Sequence, residues 1–274
     1  MKPDSDLLQI SALSLDQKKK TTSLFGIPFF SDSFEQGIKT LIQQAGLVVF
    51  PSGPNLARNL WDDADYCLAL QSADIAFADS GGMVLLWRIF SGQKIPRYSG
   101  FKILKEMLSH PEFCQSGATF WVMPSRSQQD LNLKWLKRTV SISEEDCYCA
   151  PEYGPGPVKD FTLLEILKKK RPRFIVLCIG GGTQERLGYF LRTHLGKTTS
   201  IFCTGAAIGF FSGVQARIPQ WADTIFLGWL FRCVSAPKIF IPRYFRALSL
   251  VKIVFLYWLY GRIPRLVKKQ DSSV

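Results

Sequence analysis

An aspartate can take a proton from an attacking hydroxyl, an arginine can grip a diphosphate through two parallel hydrogen bonds, and glycines let backbone amides approach a ligand closely. The 274-residue sequence gathers these types in short polar segments: Ala78-Asp79-Ser80-Gly81-Gly82, Ile95-Pro96-Arg97-Tyr98-Ser99-Gly100 and Gly180-Gly181-Gly182-Thr183-Gln184-Glu185. Two more segments of small and polar residues are Pro51-Ser52-Gly53-Pro54-Asn55 and Thr204-Gly205-Ala206-Ala207. Asp79 is the candidate general base, and Arg97 stands where a guanidinium can hold a diphosphate in place of a divalent metal. The glycine run matches neither the dinucleotide fingerprint nor the Walker loop, so it points to a phosphate-binding turn without naming the nucleotide. Each residue also has a structural reading. Asp79 can cap the helix that follows it, Gly180 to Gly182 can be a ligand-free tight turn, Gln184 and Glu185 can serve a helix start, and Arg97 can be a solvated surface charge.

All but the Arg97 segment follow apolar runs of strand length. The runs at 47–50, 75–77, 119–123, 174–179 and 200–203 read as strands, and amphipathic stretches at 34–45, 55–72, 83–90, 127–136, 161–170 and 184–195 read as helices. Such alternation predicts an α/β fold, a mainly parallel Rossmann-like sheet with helices on both faces. Ligands of open parallel sheets bind beyond the carboxyl ends of the strands, where four of these runs carry their glycines and small polar residues.

The net charge is +12, and eight basic residues with no acidic one fall between 236 and 269. They are mixed with Phe240, Tyr244, Phe245, Phe255, Tyr257, Trp258 and Tyr260. This basic, amphipathic, helical C-terminal appendage suits an anionic membrane surface, and its most apolar stretch, 247–260, is too short to span a bilayer and is expected in the interface plane. Nucleic acid is not assigned as a partner, because the charges are embedded among large apolar side chains. The chain divides into an expected flexible leader at 1–23, a catalytic domain at 24–235 and the appendage at 236–274. Seven cysteines without a repeated spacing and two unrelated histidines give no disulfide framework and no metal site, and no cofactor is assigned.

Ordered blocks along 24–246 resemble the WecG/TagA/CpsF glycosyltransferase family. They are Pro54-Asn55, Tyr66, Ala73-Asp74, Asp79-Ser80-Gly81, Arg97 with Gly100, Gly180 through Gln184-Glu185 and Gly205-Ala206-Ala207. They continue in Phe211-Ser212-Gly213, Arg217-Ile218-Pro219-Gln220-Trp221, Gly228-Trp229-Leu230-Phe231-Arg232, Pro237 and Pro242-Arg243-Tyr244. The resemblance implies an inverting, metal-independent transferase that moves an N-acetyl-amino sugar from a UDP-sugar to a polyprenyl-diphosphate-linked sugar. It also implies a peripheral position on the cytoplasmic face of the cell membrane, in cell-surface polysaccharide or envelope glycan synthesis. Asp79 is then the catalytic base, with Asn55 and Arg97 in the pocket. Ser80, Gly81, Gly180, Gly181, Gln184, Glu185, Gly205, Ala206 and Arg217 bind substrate, and Arg232 and Arg243 close over the site or engage the lipid diphosphate. The chain departs from the family's Thr-Pro-Asn, Asp-Gly and Pro-Lys-Gln-Glu motifs at Ser52-Gly53-Pro54-Asn55, Asp79-Ser80-Gly81 and Gly182-Thr183-Gln184-Glu185. Those changes bear on the identity of the sugar more than on the class of reaction. The alternative is a peripheral membrane scaffold that keeps nucleotide binding and has lost catalysis.

Overall fold

The computed structural model describes residues 21–213, 230, 233–234 and 237–261. Its centre is an eight-stranded sheet in the order β1-β2-β4-β3-β8-β7-β5-β6. The strands are β1 (Thr21–Leu24), β2 (Ile27–Phe30), β3 (Leu47–Val49), β4 (Ile75–Ala76), β5 (Thr119–Met123), β6 (Cys147–Cys149), β7 (Phe174–Leu177) and β8 (Ser200–Cys203). Among the described strands only the β1–β2 pair is antiparallel.

The helices are α1 (Phe34–Gln43), α2 (Gly53–Asn59), α3 (Ala64–Gln71), α4 (Gly81–Ser91), α5 (Gly100–Met107), α6 (Pro111–Cys114), α7 (Arg126–Thr139), α8 (Phe161–Lys170), α9 (Thr183–Leu195), α10 (Ala207–Ser212), α11 (Pro237–Ala247) and α12 (Ser249–Tyr260). They cover both faces, as the alternating pattern predicts. Successive strand residues point to opposite faces, so Leu47 and Val49 enter one core while Val48 and Phe50 enter the other. The first core is closed by α2, α3, α4, α8, α9 and α12, and the second by α1, α5, α6, α7 and α10. Burial on both faces is why the strands read as unbroken apolar runs.

Several elements differ from the sequence expectation or were not anticipated by it, among them β2, α6, β6 and α10. The single helix expected at 55–72 is two, because the chain turns after Leu60 and the Asp63 carboxylate caps α3 by accepting from Tyr66 N at 2.8 Å. Strand β1 begins at Thr21, inside the stretch expected as a leader, and residues 1–20 lie outside the described part. It is joined to β2 by a two-residue turn at Phe25 and Gly26, with φ of 61° and 74°, both in the left-handed region that tight hairpins require. Phe25 adopts this conformation with its ring buried against Tyr257 of α12, at a centroid distance of 4.9 Å. Helix α5, absent from the expected elements, starts at Ser99, whose hydroxyl accepts from Lys102 N at 3.2 Å. The apolar stretch at 247–260 supplies α12, which packs Leu250, Ile253 and Val254 on the sheet domain and leaves Val251, Phe255, Trp258 and Leu259 exposed.

Asp74 locks the amino end of β3 to α9. Its carboxylate accepts from Leu47 N at 2.8 Å and from Arg192 Nε and Nη2 at 2.8 and 3.0 Å. Replacing Asp74 by Ala leaves the Leu47 amide and the guanidinium without this acceptor, and is expected to cost roughly 2 kcal/mol of stability in urea unfolding. A change within error of zero would show that these bonds contribute nothing net.

Candidate active site

Strands β4, β3, β8 and β7 are consecutive in the sheet and all parallel, so the four polar segments that follow them lie along one edge. Residues separated by as many as 156 positions, from Pro51 to Ala207, are thereby brought to neighbouring strand ends. Beneath that edge the Phe50 and Phe77 rings stack at 5.5 Å with an interplanar angle of 11°.

The segment after β4 is held by Arg97. Ala78 and Arg97 form a parallel bridge, Tyr98 N donates to Ala78 O at 3.1 Å, and Arg97 Nε donates to Asp79 O at 3.0 Å. The guanidinium is therefore fixed beside Asp79. The cap of α4 is Ser80, whose hydroxyl accepts from Met83 N at 3.2 Å, so Asp79 stands one residue outside the capping position. This removes the capping alternative for Asp79.

Two glycines are set by close approach. A Cβ on Gly53 would lie 2.6 Å from Ser80 Oγ, which brings the start of α2 against the start of α4. A Cβ on Gly181 would lie 1.8 Å from Asn55 Nδ2, so the Asn55 side chain rests directly on the glycine turn and only glycine admits it. Gly182, with φ of 93°, reverses the chain into α9 under Asn59.

The turn is fastened from below by groups out of reach of water. Glu185 is fully buried, and its Oε2 accepts from Gly182 N at 2.6 Å while Oε1 accepts from Gln184 Nε2 at 3.0 Å. Burial pushes the Glu185 carboxyl above its ordinary pKa, against the opposing pull of those hydrogen bonds and of the Arg186 charge. Gln184 Oε1 accepts from Gly205 N at 2.7 Å, so one amide joins the loop after β7 to the loop after β8. Gln184 is itself buried, with both ends of its amide used inside the protein. Tyr66 packs beneath, its phenol raised well above its usual pKa first by burial and then by Glu185.

Among the expected site residues, the structure gathers Asn55, Asp79, Ser80, Gly81, Arg97, Gly180, Gly181, Gln184, Glu185, Gly205 and Ala206 at this edge. Arg217 and Arg232 lie outside the described residues, and Arg243 is described only as backbone within α11.

Sequence reasoning passed over Arg186 and Asn59. The Arg186 guanidinium is nearly buried and donates to Gly182 O at 3.1 Å and to Gly156 O, which ties the loop before α8 to the glycine turn. Its signal was a basic residue in the first turn of a helix, where the dipole disfavours it. Ser52 Oγ and Thr204 Oγ1 are buried at the ends of β3 and β8 without a hydrogen-bond partner.

No group of three or more His, Cys, Asp or Glu side chains among the described residues is placed to hold a metal ion. Positive charge, hydroxyls and backbone amides around a carboxylate suit a reaction in which a hydroxyl attacks and a phosphate leaves.

Two curated proteins are similar to this chain over most of its length. One is the N-acetylglucosaminyldiphosphoundecaprenol N-acetyl-beta-D-mannosaminyltransferase of Bacillus subtilis strain 168, 25% identical over 244 residues, which cover 85% of this chain and 92% of the relative. The protein of the same name from Bacillus spizizenii strain W23 is 22% identical over 225 residues, or 81% of this chain and 83% of the relative. The family model for the glycosyl transferase WecG/TagA/CpsF family matches residues 22–265, which include every segment of the sheet edge, and the chain belongs to that family.

Proposed function

We propose that the protein transfers an N-acetyl-amino sugar, with inversion, from a UDP-sugar to a polyprenyl-diphosphate-linked sugar at the cytoplasmic face of the cell membrane. The observation that carries this reading is the Asp79–Arg97 pairing at the strand edge opposite the Asn55-covered glycine turn. Two relatives whose names state transfer of an N-acetylmannosaminyl group to N-acetylglucosaminyl-diphosphoundecaprenol support it. The basic C-terminal segment supplies the contact with an anionic membrane that a lipid-linked acceptor demands.

In this mechanism the Asp79 carboxylate takes the proton of the acceptor hydroxyl as its oxygen attacks the anomeric carbon. The new carbon–oxygen bond forms while the bond from that carbon to the UDP phosphate oxygen breaks, on the opposite side. Arg97, held by Nε on the Asp79 carbonyl, and the amides of the glycine turn stabilise the charge that collects on the leaving diphosphate. Asn55 contacts the donor from above the turn, and Gln184 and Glu185 act by keeping the two glycine loops in register.

Asp79→Asn keeps the shape and removes the base. UDP release in the presence of acceptor should fall by roughly 10²–10⁴-fold while UDP binding stays within about twofold. Turnover at the original rate would take Asp79 out of the role of base, and saturable UDP binding without transfer by the unaltered protein would favour a scaffold. Gly181→Ala should expel the Asn55 side chain and weaken donor binding by about tenfold, with little further loss when Asn55→Ala is added. Full additivity of the two substitutions would show that the glycine and the asparagine act independently.

A further inference from the structure

Helix α4 leaves the catalytic segment immediately after Ser80 and turns Met83 and Trp87 into the core. Its outer face carries Leu85 and Ile89, one turn apart, 54% and 65% exposed. Arg88 lies between them, and the helix has no acidic residue. Helix α12 runs alongside in the same direction. Near its start Leu250 reaches the Gly53–Ser80 contact, further along Tyr257 meets Trp87 at 6.0 Å, and Phe255 and Trp258 meet Phe90 at 5.5 and 6.2 Å.

The outer side of α12 presents Val251, Phe255, Trp258 and Leu259, each 40% to 52% exposed. Single exposed aliphatic residues are ordinary, but exposed apolar side chains on two helices that touch through Phe90, Phe255 and Trp258 mark an interaction face. Charge selects the occupant. Arg88 and Lys252 are exposed on these helices, neither helix contains a carboxylate, and α11 adds the exposed Lys238, again without one. Apolar side chains edged by cations and by Trp258 and Tyr260 complement an anionic bilayer, with the rings at the headgroup boundary. No helix among the described residues is long and apolar enough to cross a membrane, so the contact is with the surface layer.

We propose that α4, an element of the sheet domain, is itself a membrane-inserting helix, its Leu85–Ile89 face entering the acyl boundary of an anionic bilayer beside the outer face of α12. Because α4 begins at the catalytic segment, this docking holds Asp79 at headgroup depth, where the diphosphate of a lipid-linked acceptor lies. The surface is carried by exposure and charge alone; what it delivers to Asp79 rests on the transferase reading above.

The test is co-sedimentation of the full-length protein with vesicles of phosphatidylglycerol and phosphatidylethanolamine in equal parts, and with phosphatidylcholine vesicles as the neutral control. The double substitution Leu85→Glu with Ile89→Glu should lower partitioning onto the anionic vesicles by about tenfold or more, with UDP binding in solution unchanged. Arg88→Glu, a single surface change that keeps the fold if the double variant does not, should also weaken partitioning, and added salt should shrink its difference from the original protein. Partitioning unchanged in the folded double variant, or in Arg88→Glu should the double variant not fold, would overturn the proposal. So would a dimer in solution that the Leu85 and Ile89 substitutions split without changing vesicle binding, since the face would then belong to a second copy. Transfer to a water-soluble acceptor separates the two claims: lost vesicle binding without any transfer by the original protein would leave the surface standing and remove the transferase reading.

Discussion

The carboxylate of Glu185 sits at the base of the site, wholly buried, and the geometry above it depends on the two donors that compensate it. Burying a charge is costly unless hydrogen bonds replace the lost water, and here Gly182 N and Gln184 Nε2 offset part of that cost. The same two bonds fix the glycine turn after β7. Through the other end of the Gln184 amide they fix the loop after β8 as well. A turn held in this way can leave its upper side to Asn55 and to a ligand, which is the arrangement that preorganised binding of a diphosphate requires. Arg186 adds a lateral tie, from the carbonyl of Gly182 to that of Gly156.

The second half of the edge is organised around backbone. The Asp79 carbonyl and the Ala78 bridge hold Arg97 against the β4 end, so the cation is placed by the strand that places the carboxylate. In the proposed mechanism this matters because base and leaving-group stabiliser would have to act across one reacting carbon, and an error of about 1 Å in either is expensive. The C-terminal helices join the arrangement from outside: Leu250 of α12 packs where Gly53 meets Ser80, which links the basic segment physically to the starts of α2 and α4.

Much of this was legible in the sequence for a physical reason. A strand buried on both faces must be a short apolar run, so the runs before Pro51, Ala78, Gly180 and Thr204 announced the sheet and the edge at which the glycine-rich and small polar segments gather. What escaped was set by tertiary contact. The Phe25–Gly26 turn looks like no hairpin signal, because Phe25 takes a left-handed conformation only with its ring buried against Tyr257. Strand β6 is three residues long and reads as nothing by itself. The reading of Gln184 and Glu185 as a helix start saw their position in the chain, but their burial and the bond to Gly205 come from a neighbouring strand. The stretch at 247–260 was legible as amphipathic, and its division into one docked face and one exposed face needed the sheet domain beside it.

The central claim is that four consecutive strand ends form one nucleotide-sugar site. Hydrogen–deuterium exchange of the full-length protein with and without saturating UDP tests it most directly. The account predicts slowed exchange in the segments 51–56, 78–82, 180–185 and 204–207, which are distant in sequence and adjacent in the sheet. Protection confined to another surface, such as the groove between α1 and α5 lined by Phe34, Ile38, Lys39, Glu106 and His110, with the four strand ends unchanged, would contradict it.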